Sequence, residues 1–215
     1  MLTVLLPLVV IGLVAFVAML FTRGRDALDV SPQNVFRAYL YVASFAGVAV
    51  AAFGVGALLQ AGIGLVAGNE FVYGTISSDA RQVQTQQFDA RRAEDAVRGV
   101  TFAAFGLVFW LVHWLARNRV QGGDHGALAR GYFLAGTAVF GVATVLLFPM
   151  GVYQALTFWL VPRAPGAFRP GVQDSLAGGI VVLVIWLLYL RIVLSQLPSS
   201  RAAGADAALA TREDR

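Results

Sequence analysis

The sequence predicts an all-α protein, a polytopic membrane helix bundle of five transmembrane helices in which the last four form two parallel two-helix repeats. Three observations carry this expectation. Apolar residues fill 58% of the 215 positions and charged residues only 13%, about half the roughly 25% of a soluble domain. The charges are bunched, leaving Leu2–Thr22, Ala38–Asn69, Gly99–Ala116, Gly131–Pro162 and Ser175–Leu190 without any. A membrane span needs about 20 apolar residues at 1.5 Å each, and these runs with their flanks supply it five times. Finally, the mean hydropathy of +0.71 belongs to chains that bury most of their length in lipid.

The first run reads as a retained span, near 2–22, and not as a cleaved signal. No basic residue precedes it, no A-x-A site follows it, and Arg23 and Arg25 come after it. The positive-inside rule then puts the N-terminus outside and the C-terminus in the cytoplasm. Alternation gives spans near 36–67, 98–117, 129–161 and 175–195, with ten arginines on cytoplasmic segments and six on outer ones.

All sixteen basic residues are arginine, and most lie within a few residues of an apolar run. That placement suits lipid phosphates. Nucleic acid is not an expected partner, because no basic stripe is interleaved with aromatics. With no cysteine, disulfides, thiolate metal sites and cysteine nucleophiles are excluded.

The repeat shows in matched features. Arg37-Ala38-Tyr39 opens the second span and Arg130-Gly131-Tyr132 the fourth, each heading an uncharged run of 32 residues. Each long run leads to an outer loop and then a shorter run, with Trp110-Leu111 late in one and Trp186-Leu187 late in the other. The organisation expected is an N-terminal helix (1–22), a first repeat (31–119) with a long outer loop (70–98), a second repeat (124–196) and a weakly ordered tail (198–215). Copies of two spans each are parallel, related by an axis near the membrane normal. A run of 32 residues reaches about 48 Å as helix against a core of about 30 Å, so a break or bend is expected. Gly56 and Pro149, 93 positions apart, are the matched candidates. Within loop 70–98, the stretch from Ser78-Asp79 to Arg98 has no Gly or Pro and carries Asp89–Arg92, Arg91–Asp95 and Glu94–Arg98 spacings, which predicts an outward extension of the third span's helix.

Few side chains in the spans bear chemistry. His113, between Trp110 and Trp114, suits an aromatic belt better than a ligand set, and no second span histidine accompanies it to hold a haem. A tetrapyrrole at His113 is therefore a distant third reading, and no cofactor or metal is expected. Gln60, Tyr153 and Gln154 are the polar residues of the outer thirds of the long helices, suited either to interhelical hydrogen bonds or to a transport cavity. Trp110, Trp114, Trp186, Tyr39, Tyr132, Arg37 and Arg130 are expected as interfacial anchors. Gly64-x-x-x-Gly68, Gly131-x-x-x-Ala135 and Thr137-x-x-x-Gly141 are spaced for close helix approach. No Asp, Glu, Lys or Arg lies inside a run, and no phosphate loop, HExxH or serine elbow occurs, so catalysis, proton relays and cation transport have no sequence support.

Ser31-Pro32-Gln33-Asn34-Val35-Phe36-Arg37 and Phe109-Trp110-Leu111-Val112-His113-Trp114-Leu115-Ala116-Arg117 together resemble a bacterial family of four-span membrane proteins known only as a domain of unknown function. The resemblance covers roughly residues 31–197 and departs in the long first outer loop and at Tyr189. It implies a bacterial plasma-membrane location and no activity. The functional expectation is thus a non-catalytic structural or interaction subunit of a membrane assembly, partnered by lipids and by another membrane protein or a second copy. The alternative is a small transporter or pore.

Overall fold

The computed structural model describes residues 32–75, 81–120, 125–162 and 167–196. The expected first span, the Ser78-Asp79 helix start and the tail from 198 lie outside them. The described chain is helical: α1 (Pro32–Ala67), α2 (Asn69–Tyr73), α3 (Arg81–Arg119), α4 (His125–Leu160) and α5 (Gln173–Ser195). Four of these, all but α2, are long and apolar enough to cross a membrane.

Pro32 opens α1, where its missing N–H has no intrahelical partner to lose. Both long helices continue through the positions expected to interrupt them. The helix of α1 runs past Gly56 and that of α4 past Pro149, so neither position breaks its helix. Proline removes the donor that would meet the Val145 carbonyl, but the ladder on either side holds the helix together. The helix that contains the Gly99–Ala116 run begins at Arg81, well before the run itself.

The helices pair as two antiparallel hairpins, α1 with α3 and α4 with α5, joined by the packing of α5 along α1. Small residues form the first seam. A Cβ on Gly47 would lie 2.8 Å from Trp110 N, one on Gly54 2.7 Å from Ala103 Cα, one on Gly106 2.7 Å from Ala51 Cα and one on Gly99 2.6 Å from Leu58 Cγ. The seam thus runs 47, 51, 54, 58 on α1 against 110, 106, 103, 99 on α3, the alternating spacing of four and three that keeps one stripe facing a neighbour. The second hairpin repeats this register. Gly141 faces Trp186 Nε1 at 2.9 Å, and Gly179 faces Phe148 Cα at 2.7 Å, both measured from a built Cβ. An offset of 94 carries Gly47 to Gly141 and Gly54 to Phe148; an offset of 76 carries Trp110 to Trp186 and Ala103 to Gly179.

In the Gly64–Gly68 motif only Gly64 lies against another helix, a Cβ there falling 3.2 Å from Asn69 Oδ1 and 3.8 Å from Val72 Cγ2 of α2. Gly68 has φ +94° and open space around it, and it ends α1 instead. With Gly74 at φ +85° it brackets the short α2, both glycines taking a left-handed backbone that other residues avoid. This helix, within the segment expected as a polar loop, turns Phe71 and Val72 inward against Phe158 and Val172.

The bundle has two distinct ends. One carries α2, the start of α3 and the α4–α5 connection, and holds mixed charges. The other holds the described residues Arg37, Arg117, Arg119, Arg130 and Arg191 and no described carboxylate; it is called the arginine end below. At the mixed end Thr75 and Arg169 form an antiparallel β-bridge, with Thr75 N donating to Arg169 O at 2.8 Å and Val172 N to Phe71 O at 2.9 Å. Toward the arginine end the larger core gathers Tyr41, Phe45, Tyr132, Phe140, Val182 and Tyr189.

Candidate functional site

Polar side chains collect at two levels. At the mixed end, Asp95 of α3 is 7% exposed although it carries a charge. Its Oδ2 accepts from Gln60 Nε2 at 3.1 Å and from Tyr73 Oη at 2.8 Å, and its Oδ1 faces Arg98 Nη1 at 3.6 Å. One carboxylate therefore ties α1, α2 and α3 together. Burial first, then the hydrogen bond to Asp95, raises the Tyr73 phenol well above the ordinary tyrosine range, so it remains a donor at physiological pH. The expected pairs Asp89–Arg92 (3.0 Å) and Glu94–Arg98 (2.6 Å) form on the helix surface. Asp95 departs from the expectation of a solvated helix: it turns inward, and its ion pair is to Arg98 and not to Arg91.

At the arginine end, His113 Nδ1 lies 2.7 Å from the Phe109 carbonyl and Nε2 lies 3.3 Å from Tyr39 Oη. A carbonyl only accepts, so Nδ1 carries a proton, and in the Nδ1–H tautomer Nε2 accepts from the Tyr39 hydroxyl. A metal at Nε2 would have to displace that hydroxyl. In the second hairpin Tyr189, which the offset of 76 matches to His113, shares a 2.7 Å hydroxyl–hydroxyl bond with Tyr132, one residue before the position that the seam offset of 94 matches to Tyr39. Tyr132, expected as an interfacial anchor, is instead 5% exposed and central to the core. Between the hairpins, the Arg117 guanidinium of α3 sits 4.9 Å from the Tyr41 ring and 5.8 Å from the Tyr132 ring, a cation–π clamp. Trp110 stacks on Trp114 with centroids 6.1 Å apart, and Tyr39 is about half exposed, as suits interfacial rings.

The four residues expected as ligand candidates do not converge. Gln60 is held by Asp95. His113 lies eighteen residues further along the same helix as Asp95, about 27 Å away by helical rise. Tyr153 points outward, 64% exposed, and Gln154 Oε1 is buried without a hydrogen-bond partner. No group of three or more potential metal ligands occurs among the described residues.

Among the described residues there is also an apolar groove of about 400 Å³. Both α3 and α5 pack along α1 and make at most glancing contact with each other, which leaves the space between them open. Val48 and Val55 floor it, Leu107 and Trp110 form one wall, and Ile180 and Val184 form the other. The sequence reading missed both Asp95 and this groove. Asp95 had a signal, since it extends the 99, 103, 106, 110 stripe one turn outward. Comparison with protein families, with curated proteins and with solved structures finds no match for this chain.

Proposed function

We propose that the chain is an integral protein of the bacterial plasma membrane that serves as a non-catalytic structural or interaction subunit, with its arginine end in the cytoplasm. In this reading the apolar run at 2–22 supplies a fifth span with its N-terminus outside, and the two hairpins are parallel internal repeats. The seam register shared by Gly47–Trp110 and Gly141–Trp186 supports the repeat.

The observation that carries the subunit reading is the one-sided packing of α3. Only 17% of its most apolar window is buried, against 44% for α1, and Phe105 and Val108 are 74% and 62% exposed. Its single seam faces α1, and its charged outer turns project from the same helix toward a partner's polar surface. Transport receives less support, because Gln60 is tied up and the candidate polar groups are dispersed.

Purification of the full chain in mild detergent tests the proposal. A stoichiometric membrane partner or a defined oligomer is expected, weakened by Phe105→Ala with Val108→Ala. A monomer that moves a solute across liposomes, and loses that flux on Gln60→Leu, would show the transport reading to be right instead.

A further inference from the structure

The groove between α3 and α5 points toward cations carried on its own helix stripes. Arg117 lies seven residues beyond Trp110 on α3, and Arg191 seven beyond Val184 on α5. Seven residues make two turns less about 20°, so each arginine sits on the stripe that lines the groove, about 10 Å further along the axis. On α1 the floor continues to Tyr41, 3% exposed, whose ring carries the Arg117 guanidinium. A guanidinium stacked by its face keeps its N–H donors at the edge. All five described carboxylates (Glu70, Asp89, Glu94, Asp95 and Asp174) stand at the mixed end.

The lining of the groove and the arginines beyond it select its occupant. It runs from Val48 to Val55, about 10 Å of helix rise, and its lining is apolar throughout. A partner helix of that face would have to leave room for the two arginines beyond it, whereas a lipid brings an anion to them. A hydrocarbon chain fits. Its headgroup would then fall one to two helical turns further along, at the level of the arginines.

We propose that this groove holds an acyl chain of one anionic phospholipid from the surrounding bilayer, with the lipid phosphate on Arg117 and Arg191. The inference rests on the membrane reading of the chain. Arginine edges supply the donors that a phosphate oxygen pair needs, and the apolar lining supplies depth without a competing polar group. Selectivity among lipids then comes from headgroup charge, and residence comes from the groove.

The test uses the full chain, stripped of lipid by detergent exchange and offered phosphatidylglycerol and phosphatidylcholine with the same acyl chains. Native mass spectrometry reads what is retained. One phosphatidylglycerol per chain is expected, favoured about five-fold for each contributing arginine. Arg191→Gln, at an exposed position, is expected to cut that preference about five-fold while the groove still holds lipid. Val184→Trp fills the groove and is expected to abolish retention of both lipids. Equal retention of the two lipids by the wild type would overturn the proposal, as would an unchanged preference in Arg191→Gln or full retention in Val184→Trp. Displacement of the headgroup preference by inorganic phosphate alone, with no lipid retained, would assign the arginines to a free anion. A disulfide from Val184→Cys to a cysteine placed in residues 2–22 would give the groove to that segment. Insertion of the wild-type chain into lipid nanodiscs checks the membrane reading separately, so its failure is distinguishable from failure of lipid selectivity.

Discussion

Asp95 accepts two hydrogen bonds on one oxygen, and both donors are left without it when the carboxylate is removed. Asp95→Ala strands the Gln60 amide and the Tyr73 hydroxyl, so a loss of about 2–4 kcal/mol is expected, read as a lower melting temperature in detergent. Gln60→Leu removes one donor and is expected to cost less, about 1–2 kcal/mol, because Tyr73 and Arg98 still meet the charge. The Tyr73 phenol is raised in the folded chain, so its contribution is fully present below the ordinary tyrosine pKa and is lost as pH rises above it. Stability is therefore expected to fall as pH climbs past about 10, and Tyr73→Phe is expected to make that alkaline fall shallower. A melting series from pH 8 to 11 on both proteins reads this. The i+3 and i+4 charge pairs of this region were legible in the sequence because they depend only on helix spacing. The inward turn of Asp95 showed only in its place one turn before the 99, 103, 106, 110 stripe, because a helix surface charge and a seam charge have the same neighbours along the chain.

Among the elements, the hairpin seams make the sharpest prediction. Gly54→Val places branched carbon against the backbone of Ala103 and is expected to cost about 3 kcal/mol or more, or to prevent folding. Gly62→Ala, on the same helix with nothing near its Cβ, is expected to be neutral or stabilising by up to about 1 kcal/mol. Thermal melts of the two variants separate a packing seam from a merely glycine-rich helix. His113→Tyr can keep a hydroxyl partner for the half-exposed Tyr39 and is expected to stay within about 1 kcal/mol of the parent; Tyr189→Phe leaves the buried Tyr132 hydroxyl unpaired and is expected to cost about 1–3 kcal/mol. The four long helices were readable from their apolar runs, which charges terminate on both sides. The short α2 was hidden because Phe71, Val72 and Tyr73 are too few to show a period, although Gly68 and Gly74 on either side mark it. Of the expected break or bend at Gly56 and Pro149, the break is absent, because length alone does not interrupt a helix whose hydrogen bonds continue on either side.

At the scale of the whole molecule, the two hairpins are fastened at both levels, by the Thr75–Arg169 bridge at the mixed end and by Arg117 between Tyr41 and Tyr132 at the other. Rocking of one hairpin against the other, the movement many repeat transporters use, would have to undo one fastening in each direction. That constraint favours the subunit reading. Orientation is tested by thiol labelling, which the absence of native cysteine makes clean. Glu70→Cys is expected to react from outside the cell and Arg119→Cys only after permeabilisation; the reverse pattern would invert the topology. The sequence could place charges relative to spans, but not hairpins relative to each other, because that arrangement rests on aromatic contacts between segments far apart in the chain.

The bridge also sets an order in time. Thr75 and Arg169 are 94 residues apart, and the segment that meets Thr75 is made only after α4. Until then the first hairpin stands with Phe71 and Val72 uncovered at its mixed end, since Phe158 and Val172 are what cover them. Closing so wide a loop is slow relative to forming either hairpin. The amides of Thr75 and Val172 therefore act as a clock for assembly. In a chain being synthesised, they are expected to be the last to gain protection from exchange, and in the finished protein to open only when the hairpins part.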